Sequence, residues 1–258
     1  MNIVVCIKQV PEIALVRVEE GGAVLPDGPG TMNPFDEYAV EEGLRLREKH
    51  GGTVTVLGCG DETAISGLRD AIALGVDKAV LLTDPAFEKS DGIALGAILA
   101  AGIKKVGDVN LVLFGKNSVD ADRSVVPGAT AGFLNWPQVL FVKKFDSIDD
   151  SKAAVTRMTE DGADKVETPL PAVISVVKEI NEPRLPSLKG KMKSKSAPID
   201  KWSAADLGVD TASIGPNSHV HQTGMKPPPP RQKGQILEGD ADTVANTLYE
   251  KLREEKVI

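Results

Sequence analysis

Cysteine, histidine and aromatic residues are scarce: two cysteines, three histidines and 4% aromatic content in 258 residues. Cys6 and Cys59 are far apart, each within or beside an apolar run. That placement suits reduced, buried thiols and excludes a disulfide framework or a cysteine-rich zinc site. No stretch approaches the roughly eighteen consecutive apolar residues of a membrane span. The first strand-like run, Ile3 to Ile7, begins almost at Met1, so the expectation is a cytoplasmic chain with no presequence to remove. Positive charge is not in excess either: the net charge of -7 argues against nucleic acid as the main partner. With 41% hydrophobic residues the chain can bury one substantial core, giving one domain with an appendage.

What is present through the first two-thirds is an alternation of strand and helix signals. Asn2 to Ile7 is a buried-type strand, and Thr31-Met32-Asn33-Pro34-Phe35-Asp36-Glu37 opens a helix, with Asn33 as N-cap, Pro34 at the first helical position and acids in the first turn. That helix runs to about Lys49 and stops at Gly51-Gly52. Thr53 to Leu57 is the next strand, and Thr63 to Leu74 carries Ile65, Leu68 and Ile72 at helical spacing. Lys78 to Leu82 is a further strand, and a helix from about Ser90 to Val106 leads to the strand at Leu111. Successive βαβ units of this kind predict an α/β fold with a doubly wound parallel sheet.

The stretch Val109 to Trp136 carries the main functional signal. An apolar strand, Leu111 to Phe114, runs into glycine and a polar, acid-containing loop in which Ser118, Asp120, Asp122, Arg123 and Ser124 supply polar groups. Ligands of parallel α/β sheets lie beyond the carboxyl ends of the strands, and amides at a following helix start hold phosphate. Gly-Lys-Asn after a strand is also ordinary turn chemistry. Machinery for consuming nucleotides is missing: Gly58-Cys59-Gly60 lacks the third glycine of a dinucleotide fingerprint, and Lys116 has neither the upstream glycine nor the following Ser or Thr of a Walker loop. Binding without hydrolysis is the better reading.

Other chemistry-bearing residues have plain explanations. His50 sits at a helix end, where a cation meets the dipole, and His219 and His221 have no third ligand nearby in sequence. The pairs Asp149-Asp150 and Glu160-Asp161 suit solvated turns. After an apolar strand from Pro171 to Val177, the segment Asn181 to Arg231 is rich in proline and lysine with little periodicity, which reads as a long loop belonging to another surface. Within it Lys189, Lys191, Lys193, Lys195 and Lys201 form a basic stripe with Leu188 and Met192 as apolar points. A solvated tail accounts for such a stripe; docking on acidic partner surfaces is the preferred reading. Order returns at the terminus, where Asp240 or Asp242 caps a helix with Val244, Leu248 and Leu252 as an apolar seam.

Over essentially its full length the chain resembles the β subunit of electron-transfer flavoproteins. The likeness is carried by Val5-Cys6-Ile7-Lys8-Gln9-Val10, Met32-Asn33-Pro34-Phe35-Asp36-Glu37, Gly58-Cys59-Gly60, Leu113-Phe114-Gly115-Lys116 with Asp120 and Asp122, Ala131-Gly132-Phe133-Leu134-Asn135-Trp136-Pro137-Gln138 and Asn181-Glu182-Pro183-Arg184. The run from Val155-Thr156-Arg157 to Glu160-Asp161-Gly162, followed by Leu170-Pro171-Ala172-Val173-Ile174-Ser175, is similar to the family's signature.

The resemblance implies a heterodimer whose α subunit holds most of the redox-active FAD, while this chain supports that flavin and binds a structural AMP. It implies an electron carrier rather than an enzyme. Electrons would arrive from dehydrogenases, such as acyl-CoA dehydrogenases, and leave to a quinone reductase or another acceptor. AMP would lie against Cys6, Asn33, Pro34, Phe35, Asp36 and Cys59, and against the loop Gly115, Lys116, Asn117, Ser118, Val119, Asp120, Ala121, Asp122, Arg123, Ser124, Val125 and Val126. Cys6 and Cys59 would be small walls, Asn33 and Asp36 polar contacts to sugar or base, and the amides of Arg123 to Val126 the phosphate cradle. Leu188, with Lys189, Lys191, Met192, Lys193 and Lys195, would meet the dehydrogenase. On this basis residues 1–185 are the nucleotide-binding α/β domain, and 186–258 the partner-recognition loop and an extended C-terminal arm packing on the α subunit.

Two departures leave alternatives open. AMP-binding members usually carry Asn-Gln-Thr late in the phosphate loop, where this chain has Ser124-Val125-Val126 and then Pro127, which lacks an N–H. Electron-bifurcating relatives hold a second FAD here and oxidise NADH; Asp120 to Gly128 matches their motif in part, and Gly92 stands where they usually have threonine. The other class of reading is a nucleotide-sensing module that regulates a partner and moves no electrons.

Overall fold

Runs of valine, isoleucine and leucine between glycine and aspartate punctuation form one nine-stranded sheet. The computed structural model describes residues 1–19, 22–224, 226–230 and 234–258. The strands are β1 (Asn2–Ile7), β2 (Thr53–Cys59), β3 (Lys78–Leu82), β4 (Leu111–Gly115), β5 (Gln138–Ile148), β6 (Lys152–Thr159), β7 (Gly162–Pro169), β8 (Ala172–Val176) and β9 (Asp200–Trp202). In space they run β7-β6-β5-β8-β4-β1-β2-β3-β9. Every neighbouring pair from β5 to β9 is parallel, and β6 and β7 extend that edge as an antiparallel meander. The helices are α1 (Pro34–His50), α2 (Ile65–Leu74), α3 (Gly92–Val106), α4 (Val125–Leu134), α5 (Leu188–Ser196), α6 (Ala204–Leu207) and α7 (Ala241–Glu254).

Both faces of the parallel sheet are covered, which is why its strands read as nearly unbroken apolar runs. Ile3, Val5 and Ile7 of β1 face one cluster, with Val40 and Leu44 of α1 and Leu68 and Ile72 of α2. Val4 and Cys6 face the other, with Ile98 and Leu99 of α3 and Ala131 and Leu134 of α4. The chain moves from β1 to β2 and β3 on one side and returns to β4 on the other, so the strand order reverses between β1 and β4. Sheets of this class leave a crevice at that reversal, outside the carboxyl ends of the strands.

The segment from Asn181 departs from its expected loop character. It contains α5, β9 and α6, and β9 pairs with β3, Lys201 opposite Leu81, at the sheet edge. These elements have nine, three and four residues, too short for hydrophobic periodicity to register. The acidic pairs do lie in the turns of the β5-β6-β7 meander, where Asp149 accepts from Ser151 N and Lys152 N. One compact unit runs to residue 225, beyond the compositional change at 185, and a second covers 226–258. Arg231, the end of the expected loop, lies outside the described residues. In the second unit α7 begins at Asp240, whose carboxylate accepts from Thr243 N at 2.8 Å. Among the described residues no helix is long and apolar enough to cross a membrane.

Candidate nucleotide site

A cleft opens at the reversal between β1 and β4, the place where ligands of parallel α/β sheets lie. Asp36, in the first turn of α1, holds its floor together. Its Oδ2 accepts from Lys8 N, just past β1, at 2.8 Å, and its Oδ1 from Gly115 N, ending β4, at 3.2 Å. One carboxylate thus ties the ends of the two central strands. Gly115 permits this approach: a Cβ there would fall 2.5 Å from Asp36 Oδ1 and 2.6 Å from the Phe35 carbonyl carbon. Burial pushes the Asp36 carboxyl up to about 7, against the opposing pull of the two amides and of Lys8.

Asn33 occupies the N-cap position of α1, but its side chain does not cap the helix. It reaches across the cleft mouth, donating from Nδ2 to Asn117 O at 2.9 Å and accepting from Val119 N at 3.1 Å. The N–H of Asp36 is met by the Asn33 backbone carbonyl at 2.8 Å, and the loop beyond β4 presents backbone groups that need partners. Asn33 and Asp36 therefore border the cleft, and their polar atoms also shape it.

The loop after β4 folds over one side. Asp122 N donates to Ser118 O at 2.8 Å, with Asp122 left-handed at φ 48°, a conformation aspartate tolerates better than most residues. Asn117 Nδ2 donates to Asp122, and Lys8 Nζ meets Asp120 Oδ2 at 2.5 Å, latching the loop to the end of β1. Lys116 lies 4.7 Å from the centre of the Phe35 ring. The buried Asn117 Oδ1 finds no hydrogen-bond partner among the described residues, and a ligand hydroxyl or amine would satisfy it.

The start of α4 supplies the cleft's positive end. Ser124 stands at its N-cap with φ -93° and ψ -2°, and its side chain makes no capping hydrogen bond. The first amides of a helix have no partner within it, so Val125 and Val126 offer free N–H groups and Pro127 offers none. The contrast with α3 is direct, because Asp91 accepts there from Ile93 N at 2.9 Å and Ala94 N at 2.8 Å. Arg123 lines the cleft beside those amides.

Of the residues expected from sequence, the cleft wall contains Cys6, Asn33, Asp36, Cys59, Gly115, Asn117, Ser118, Arg123 and Val126. Pro34, Phe35, Lys116, Val119, Asp120, Ala121, Asp122, Ser124 and Val125 belong to the same turns but do not line it. Six lining residues are not among the expected site residues: Ile7, Lys8, Phe114 and Pro127, adjacent to expected ones, and Leu95 and Leu99 of α3. The two leucines read as core residues at i, i+4 spacing, and nothing local distinguishes a core leucine from a pocket wall. Burial pushes the Cys59 thiol up to about 12 and raises Cys6 well above the usual thiol range, helped by the charge of Asp36. Both are therefore neutral thiols, small apolar wall groups rather than nucleophiles.

The residues expected to meet a dehydrogenase lie together on α5, with Leu188 and Met192 exposed to 78% and 67% and all four of its lysines exposed. Lys201 does not join them; it lies on β9 and pairs with Glu62 at 2.7 Å. His50 is in the last turn of α1, and His219 and His221 are exposed.

Comparison with known proteins fits this arrangement. The family model described as electron transfer flavoprotein domain matches residues 22–207. The chain is 38% identical over 263 aligned residues, covering all of both proteins, to the caffeyl-CoA reductase-Etf complex subunit CarD of Acetobacterium woodii. It is 35% identical, again over all of both, to the electron transfer flavoprotein subunit beta of Clostridium acetobutylicum. With Protein FixA of Azorhizobium caulinodans identity is 37% over 83% of this chain and 79% of that protein. The chain belongs to the electron transfer flavoprotein family, as a β-type subunit.

Proposed function

We propose that this chain pairs with an α subunit to form a soluble electron carrier, and that its cleft holds AMP as an unreacted structural nucleotide. The uncapped start of α4 at the strand-order reversal carries this reading, because free amides and a nearby arginine suit a phosphate. The amide of Val126, with Arg123 beside it, would hold the phosphate. Asn117 Oδ1 would accept from a hydroxyl or amine, and Leu95, Leu99 and Phe114 would provide an apolar wall for the base. Flavin in the α partner supplies the redox chemistry when bound. This chain contributes position: Asp36 and Asn33 fix the loop, and Lys8–Asp120 latches it. Leu188 and Met192 on α5 would dock the dehydrogenase, whose electrons pass on to a quinone reductase or another acceptor. Burying an exposed leucine contributes about 1.5–3 kcal/mol.

A second reading, FAD in place of AMP with oxidation of NADH, is favoured by one observation. Arg123 is shared between the cleft and a neighbouring cavity of about 510 Å³, which also presents Lys89, Ser90 and His221. A dinucleotide could extend past Arg123 into it. Denaturing the purified heterodimer and counting released nucleotides decides between them. One FAD with one AMP supports carriage alone, two FAD support the second reading, and the absence of any adenine nucleotide beyond the α subunit's FAD rejects both.

A further inference from the structure

The segment entering α5 is fixed to the side of α1 by a dense polar contact. Asn181 Nδ2 donates to Tyr38 O and to Glu42 Oε2, both at 3.0 Å. Arg45 Nη2 donates to Glu182 O at 3.1 Å while its Nε holds Glu41 Oε1 at 2.6 Å. Arg184 then spans two carboxylates. Its Nε meets Glu41 Oε2 at 2.7 Å, its Nη1 meets Glu48 Oε1 at 2.5 Å, and its backbone N also donates to Glu41 Oε2 at 3.2 Å. Tyr38, Glu41, Glu42, Arg45 and Glu48 recur at helical spacing, so one face of α1 is given over to this strap. Glu41 is buried, and the two arginines hold its carboxyl below the usual range although burial pulls it up.

Four residues beyond Arg184, α5 begins with Ser187 Oγ accepting from Gly190 N at 3.0 Å. Gly190 lies so close to α2 that a Cβ would fall 2.1 Å from Ala73 O, and Arg69 Nη1 donates to Ser194 O. The helix is thus held at its entry and along its inner side, with Leu185, Leu188 and Met192 exposed outward. Its own sequence does not explain this order: LKGKMKSKS is short, carries a glycine in its first turn and places four like charges within seven residues.

We infer that Arg184 is a positioning residue that sets α5 in its docking pose before the dehydrogenase arrives, by clamping residues 181–184 to α1. The inference rests on the reading that α5 is the dehydrogenase surface. Order established beforehand lowers the entropy lost on docking, so loosening the clamp weakens association without touching electron transfer itself. Lysine at this position keeps the charge but cannot span two carboxylates.

The test uses the assembled heterodimer, with a purified acyl-CoA dehydrogenase and its acyl-CoA reducing the flavin, and the wild-type carrier as reference. In Arg184→Lys, amide exchange over 188–196 rises about tenfold, KM for the carrier rises severalfold, and kcat and bound nucleotide are unchanged. Glu48→Gln, which spares the buried Glu41 contact, shifts both readouts the same way by less. Leu188→Ala raises KM with exchange over 188–196 unchanged. If Leu188→Ala raises KM while Arg184→Lys and Glu48→Gln leave KM or the exchange unaltered, docking stands and the clamp is overturned. If Leu188→Ala leaves KM unaltered, the docking reading itself fails, and the positioning inference with it.

Discussion

Asp36 shows how much of the site depends on one side chain. Its two oxygens receive backbone amides from the ends of β1 and β4, so Asp36→Asn keeps the shape but turns one acceptor into a donor facing an N–H. Because the folded carboxyl is raised to about 7 from an ordinary 3.8, the folded state keeps a proton that the unfolded chain has released between those values. This group's stabilisation is therefore complete below about pH 4 and declines as pH rises through about 7, on the order of 4 kcal/mol at most. Urea midpoints should fall from pH 5 to 8 in the wild type and stay flatter in Asp36→Asn; equal slopes would show that the carboxyl ionises freely. The same substitution should lower stability at pH 8 by about 1–3 kcal/mol less than full loss of both bonds in Asp36→Ala. For the nucleotide, Arg123→Ala should weaken retention of AMP about tenfold, one charge-assisted contact of 1.5 kcal/mol or so, measured by equilibrium dialysis with the fold checked by circular dichroism. Residue identities of this kind were legible in part. Arg123 stood out as a polar group in the loop beyond a strand, and Asp36 as an acid in a helix's first turn that only the family resemblance assigned to the site; the partners of Asp36 lie 28 and 79 residues away, and no local pattern reveals them.

Elements differ in what their sequences disclose. Helix α1 announces itself with Asn33-Pro34 and ends at Gly51, and the strand from Leu111 stands out as an apolar run. Helix α5 gives no such signal, and its stability comes from what it packs against. Gly190→Ala should displace it, since the added carbon meets the Ala73 carbonyl oxygen. The expected loss is about 1–3 kcal/mol of local stability, seen as faster amide exchange over 188–196 with the main thermal transition unchanged. A coincident fall of the main transition would mean that α5 unfolds with the sheet. Strand β9 is legible only through its partner, because three residues, Asp200 to Trp202, have no periodicity to read and are ordered by the free edge of β3.

For the whole molecule, the division at residue 225 sets an expectation. A chain ending at Gly224 keeps the complete nine-stranded sheet and the cleft, so its thermal unfolding should remain cooperative. AMP at a hundred times its Kd should still stabilise it by about 2.7 kcal/mol. Loss of the cooperative transition would place residues 226–258 within the folding unit. Loss of α-subunit binding with the transition intact is the result expected if α7 is a docking arm. Sequence alone determined that this is an α/β chain and pointed to the turns beyond the strand ends, because burial on two faces demands apolar runs and helix starts demand particular residues, and both are local. Tertiary structure alone decided that Asn33 serves the opposite loop, that Leu95 and Leu99 face a cleft, and that Arg184 fastens the segment before α5 to α1. Each of those outcomes is a contact between segments distant in sequence, and a buried polar group takes whichever partner the fold brings within reach.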